Sequence, residues 1–250
     1  MERPGRIQKG GQGLHRLRCM GRKSGTCRLS QDAQRMGAAE IGGRRMKMMA
    51  RLLRDGTSWN FCSHLFRWPT KETMLAAASL VPELPPQLRV EAAEVVAYTS
   101  DPSLQSAYHH LIGSGGCVSP YESQCRINGE TGVADKGIIL ADVAAFYKAF
   151  GFNYSKELPE APDHVAVELA FMGYLKLKQA FAFLHQDDEA IEVCRDAEDA
   201  FLQDHLLGWL PNFLTDIARA ATHPYYREAA QLAHKLFAFI EFRCEKDRVY

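Results

Sequence analysis

An aspartate and a histidine stand side by side in LPEAPDHVAVELAFMGYL, residues 158–175, with a glutamate four positions further on. Asp163 and His164 could work as an acid–base pair, because a carboxylate can orient an imidazole for proton transfer. On a helix, His164 and Glu168 would face the same side and could be half of a metal site. A helical di-iron centre needs Glu-x-x-His pairs on two helices, and the chain contains no E-x-x-H. The plainer reading is that Asp163 caps or charges the start of a helix after Pro162. These residue types leave capping, partner binding and metal or acid–base chemistry open.

Three other groups could do chemistry. His109 and His110 are adjacent, so on a helix they point about 100° apart and cannot easily share a metal. One is expected to face the core and one solvent. His205 and Trp209, one helical turn apart and beside Asp204, would form a stripe with Phe201. That stripe reads as core packing, or as an aromatic groove that receives a partner segment. Tyr121 and Glu122 follow Pro120 in a long irregular stretch, and loop residues carry function more often than core residues do. No G-x-G-x-x-G after a strand, no G-x-x-x-x-G-K-[ST], no H-E-x-x-H and no G-x-S-x-G occurs. The reading is a binding protein rather than an enzyme, with no cofactor expected.

The elements that must position these residues have helical spacing. Helices are expected at 70–81, 86–99, 102–112, 139–150, 163–184, 187–210, 211–221 and 223–246. The stretch 113–137 reads as one long Gly/Ser-rich loop, of a length that is usually functional or disordered. The segment 165–184 is apolar almost all round, as a helix buried among others is. No strand alternation or hairpin dipeptide is found. The fold class is therefore all-α, a bundle of about eight or nine helices in two packed halves.

The formal net charge of zero conceals two opposite parts. Residues 1–56 hold 14 Lys+Arg against 4 Asp+Glu and 10 of the 19 glycines, and the remaining chain is acidic by ten charges. The basic leader has no aromatic residue to stack on bases, which argues against nucleic acid. It also lacks the apolar stretch of a secretory signal. Residues 1–50 are expected to be a disordered leader, or to precede a natural start at Met46, Met48 or Met49. The globular domain is expected over 58–247, as 58–152, a linker at 153–162, and 163–247. No apolar run of about 18 residues suggests a membrane span. The seven scattered cysteines, without C-x-x-C, fit a reduced cytoplasmic protein.

Four segments, in order, resemble one family. CVSPYESQ (117–124) resembles a C-P-P-Y-E loop, with Val118 and Ser119 where that family often has prolines. LADVAAFYKAFGF (140–152) resembles its A-D-x-x-x-F-Y-x-A-F-G segment. PEAPDHVAVELAFMGYL resembles its E-x-P-D-H motif and the helix that follows, with Glu160 at the acidic position. CRDAEDAFLQDHLLGWLPNF (194–213) resembles its F-x-x-D-H-L-x-x-W-x-P-x-F segment. The family is the TorD-like chaperones that mature molybdenum-containing oxidoreductases. The chain is most similar to those serving the type II dimethyl sulfoxide reductase group. The resemblance implies a cytoplasmic protein, monomeric or homodimeric, without turnover. Such a protein binds the apo catalytic subunit of a molybdopterin oxidoreductase, and its twin-arginine signal peptide, until the cofactor is inserted. It also implies that Tyr121, Glu122, Asp163 and His164 form the client surface or hinge, with Glu168, His205 and Trp209 beside them. The competing reading is a helical metal- or cofactor-binding redox protein using His109, His164, Glu168 and His205.

Overall fold

The computed structural model describes the backbone of residues 26–126, 133–154 and 160–248, and the side chains of 43–126, 136–154 and 160–240. Ten α-helices occur among the described residues: α1 (Thr26–Leu65), α2 (Lys71–Leu80), α3 (Arg89–Val96), α4 (Leu104–Leu111), α5 (Glu122–Cys125), α6 (Val133–Phe150), α7 (Val165–His185), α8 (Asp188–Phe201), α9 (Leu210–Ala220) and α10 (Pro224–Arg248). No strand occurs among them; one isolated antiparallel bridge joins Tyr121 to His164. The all-α expectation holds.

Two compact units form, Met1–Arg44 and Arg45–Tyr250. The disordered leader expected at 1–50 falls outside the described residues up to residue 25, but residues 26–44 are helical. The second unit begins at Arg45, not at 58. The glycines and charges of the leader hid a helix whose apolar face, with Leu52 and Trp59 buried, belongs to the core. Nor does 153–162 divide this unit. One apolar cluster runs from Trp59 to Ile240 and includes residues from both expected halves.

Local chemistry sets the helix ends. The Thr70 hydroxyl accepts from the Thr73 N–H at 3.1 Å and starts α2. Asp187 does the same for α8 through the Ala190 N–H at 3.0 Å. Between α7 and α8 the chain reverses at Gln186, whose φ of 59° is left-handed.

The central element is α7. Its Phe171 packs against Phe201 and Tyr147, each at 4.8 Å between ring centroids. Burying each such ring contributes roughly 1.5–3 kcal/mol. Its first turn is tied to α1, where the Ser63 hydroxyl donates to the Ala166 carbonyl at 2.6 Å. At Gly173 α1 comes so close that a Cβ would lie 2.7–2.9 Å from the Asn60 side chain.

The expected helix over 187–210 is broken. α8 ends at Phe201, a π-helical turn spans Leu202–Leu206, and Trp209 leaves the helical region at φ −142° before α9 begins. Phe201, His205 and Trp209 are all buried, so they form neither one continuous stripe nor an open aromatic groove. The stretch expected as a loop over 113–137 contains α5 and the start of α6. Its entry is tight at Gly116, where a Cβ would lie 2.7 Å from the Leu111 backbone. Gly116→Ala is therefore expected to cost about 1–3 kcal/mol, because backbone must move. A urea titration checks this, and an unchanged midpoint would show that the loop entry can relax.

Candidate functional site

The four segments singled out in the sequence meet at one buried polar node. The bridge between Tyr121 and His164 brings the first and third together. The Glu122 N–H donates to the Asp163 carbonyl at 2.9 Å, and the Val165 N–H to the Pro120 carbonyl at 2.8 Å. Asp163 Oδ2 then accepts from the Ser123 N–H at 3.1 Å. Asp163 thus caps the one-turn helix α5 across the chain, and does not cap α7 as expected. His164 is the N-cap of α7: its Nδ1 accepts from the Ala166 N–H at 3.1 Å. That bond puts the ring proton on Nε2. Burial holds the imidazole down to about 3, so it stays neutral.

Glu122 is the centre of the node and is fully buried. Its Oε2 lies 3.0 Å from His205 Nδ1, and its Oε1 lies 2.6 Å from Arg126 Nη1. Facing a carboxylate, His205 donates from Nδ1. The π-helical turn inserts one residue into the ladder, the Leu207 N–H bonding the Leu202 carbonyl at 2.9 Å, and re-aims the His205 ring. The other ring nitrogen, Nε2, has no hydrogen bond and lies 3.5 Å from Asp142 Oδ2 on exposed α6 surface. Arg126 also donates to the Asp204 carbonyl, tying α5 to the turn.

Glu168 lies behind Glu122. Its Oε2 accepts from the Trp209 indole N–H at 3.3 Å, while its Oε1 has no partner. Burial, then the negative charge of Glu122, then Asp163, push its carboxyl well above the usual range. Burial therefore favours its protonated form in the folded chain. The stability linked to its proton is fully present below 4.5 and is lost as pH rises through the folded value. Glu168→Gln is expected to change stability at pH 7 by less than about 1 kcal/mol, since the amide has the shape of the protonated carboxyl that burial favours. Above pH 4.5 the variant should lose less stability with rising pH than the native chain does. A large loss at pH 7 in a urea titration would mean Glu168 is ionised.

The second segment enters through Tyr147, whose hydroxyl donates to the Pro162 carbonyl at 2.9 Å. Tyr121 alone among the seven candidates is only partly buried. Its ring packs edge-on against His164 at 5.3 Å, and its hydroxyl hydrogen-bonds Glu160. On the outer side of the loop a cavity of about 270 Å³ is bounded by Cys117, Ser119, Cys125, Trp209, Asp216 and Arg219.

Six candidates, Glu122, Asp163, His164, Glu168, His205 and Trp209, are buried. They hold the 117–126 loop against α7 and α9 rather than standing on the surface. His109 and His110 are both exposed on α4, against the expectation that one faces the core. Among the described residues no group of three or more His, Cys, Asp or Glu is placed to hold a metal ion. The four residues of the redox reading do not form a ligand set. Arg126 was missed, although its spacing of four from Glu122 on a helix was a legible signal.

Residues 82–215 match the family model described as nitrate reductase delta subunit. The chain belongs to that family. Among curated relatives, it is 35% identical over 142 residues to the selenate reductase assembly chaperone protein of Thauera selenatis, covering 53% of this chain and 69% of that one. It is 33% identical over 115 residues to the chlorate reductase assembly chaperone protein of Ideonella dechloratans, covering 44% and 55%. It is 25% identical over 126 residues to the chaperone protein TorD of Shewanella piezotolerans, covering 49% and 52%. The chain thus spans only about half the length of the last two. No solved structure matches.

Proposed function

We propose that this chain is a maturation chaperone for a molybdopterin oxidoreductase. It binds the apo catalytic subunit in the cytoplasm, holds it until the cofactor is inserted, and carries out no turnover of its own. The observation that carries this reading is the convergence of all four resembling segments on one node. A node built of buried, interlinked groups positions a loop, and among its described residues no nucleophile or acid–base pair stands open to a substrate. The relatives named as assembly chaperones for selenate and chlorate reductases support the same class. Among the described residues no helix is long and apolar enough to cross a membrane.

On this reading the seven residues divide by role. Tyr121, with Glu160 beside it, meets the client. Glu122, Asp163, His164, Glu168, His205 and Trp209 position the loop that carries Tyr121. The acidic balance of residues 57–250 favours an arginine-bearing segment such as a twin-arginine signal peptide, mainly through on-rate and specificity.

The test is a pull-down from native cytoplasm with the full chain as bait and mass spectrometry as readout. Enrichment of a molybdopterin oxidoreductase catalytic subunit is expected. A clean result with no such subunit would overturn the reading.

A further inference from the structure

α1 and α7 run antiparallel in the second unit. Arg45 donates to the Phe183 carbonyl at 3.2 Å. Three turns on, a Cβ at Gly56 would lie 3.1 Å from Lys176 Cβ and 3.7 Å from Leu177 Cγ. The seam between these helices has two unlike sides. On the Lys176 side, Leu52 and Asp55 of α1 border a charged cavity of about 550 Å³, with Lys176 and Glu198 paired at 2.6 Å. On the Leu177 side the surface is apolar.

There α1 presents Met46 and Leu53, and α7 presents Leu177, Phe181 and Leu184. These five side chains are 42–66% exposed. Positions 46 and 53 share one face of α1, and 177, 181 and 184 share one face of α7. Past α7 the ridge runs into a cavity of about 400 Å³ whose far wall is Ala190 and Cys194 of α8. Val193, 52% exposed, stands beside that wall. Within the strip Lys178 is turned inward, its Nζ donating to the Phe150 carbonyl at 2.8 Å. His185 packs on Phe181 with its ring tilted and the centroids 4.3 Å apart. Soluble monomers rarely expose a continuous apolar strip of this kind.

The two edges of the strip carry opposite charge. Lys47 and Arg54 border it on α1, and Glu189 and Asp196 border it on α8. A surface ordered basic, apolar, acidic is complementary to itself under a two-fold axis. The basic edge of one copy meets the acidic edge of the other, twice, over a shared apolar centre.

We infer that this ridge is the interface of a homodimer, in which Phe181 of each copy enters the α7–α8 cavity of the other and Lys47 and Arg54 face the partner copy's α8. The node and the Tyr121 surface lie outside this face, so the dimer stands whether or not the client reading does.

Sedimentation equilibrium of the full chain tests it. The chain is expected to dimerise reversibly. Phe181→Asp with Leu184→Asp, both at exposed positions, should weaken the dimer by roughly a hundredfold, as loss of central apolar anchors does. The circular dichroism should be unchanged. Lys47→Glu with Arg54→Glu should weaken it roughly tenfold by like-charge contact across the interface. Adding Glu189→Lys and Asp196→Lys to that variant should restore the original affinity. A monomer at every concentration, a dimer indifferent to the changes at 181 and 184, or a four-site variant no tighter than the two-site one each overturns the inference. So does capture of another protein by this ridge in a chain that remains monomeric.

Discussion

Replacing Glu122 by alanine is expected to lower the unfolding free energy by about 3 kcal/mol, the largest effect of any single change at the node. Glu122 is a fully buried carboxylate with two cationic or potentially cationic partners, His205 at 3.0 Å and Arg126 at 2.6 Å. Alanine leaves a small cavity and strips the acceptor from His205, which is itself buried. Arg126 loses less, because it is 37% exposed and keeps the Asp204 carbonyl. Arg126→Ala removes one of the two partners of a buried carboxylate but leaves His205, so it is expected to cost about 1–2 kcal/mol, less than the loss of Glu122 itself. Glu122→Gln keeps the shape and an acceptor for His205 and should fall between the two. Urea titration at pH 7 is the measurement, and about 3 kcal/mol is roughly 1 M in midpoint for a chain of this size. A loss of Glu122 no larger than that of a surface residue, within about 0.5 kcal/mol, would mean the node does not hold the loop.

The second large effect is on acid sensitivity. His164 is held neutral by burial, its value lowered from 6.5 to about 3. The unfolded chain takes up a proton below 6.5 that the native chain refuses. The stability linked to His164 is therefore fully present above 6.5 and is lost as pH falls toward 3, at about 1.4 kcal/mol per unit. Other groups also titrate in this range, so the test is a difference. His164→Asn keeps a side-chain oxygen that can cap α7 and removes the titration. Between pH 7.5 and pH 5 the native chain should lose about 2 kcal/mol more than His164→Asn. Packing lost against Tyr121 is lost at both pH values and cancels. Equal losses would place the His164 ring in contact with water.

Much of the fold was legible because it rests on periodicity and punctuation. The apolar circumference of 165–184 announced a buried helix, and Pro224 and Pro211 marked the starts of α10 and α9. The start of the body was not legible. Residues 45–57 carry glycine and arginine, and only packing on α7 reveals which face of that helix is apolar. The break after Phe201 was hidden for a related reason. LQDHLLGWL keeps helical composition, and the contacts made at the π-helical turn, Glu122 with His205 and Arg126 with the Asp204 carbonyl, come from residues about 80 positions away.

The site was legible as a set of residues and not as an arrangement. Asp163 was expected to cap α7, yet the histidine caps α7 and the aspartate caps α5. Sequence spacing shows partners within one helix, but the bond from Ser123 to Asp163 joins positions 40 apart. The burial of Glu122 and Glu168 was likewise hidden, since charged residues are rarely interior unless paired and the pairing partners lie on other helices.

The most direct test of the central claim, that the node presents the client-binding loop, is amide hydrogen exchange on the full chain alone and in complex with the catalytic subunit recovered by pull-down. The account predicts slowed exchange at 117–126 and 160–168 in the complex. Protection confined to other faces, with these two segments exchanging as in the free chain, would contradict it.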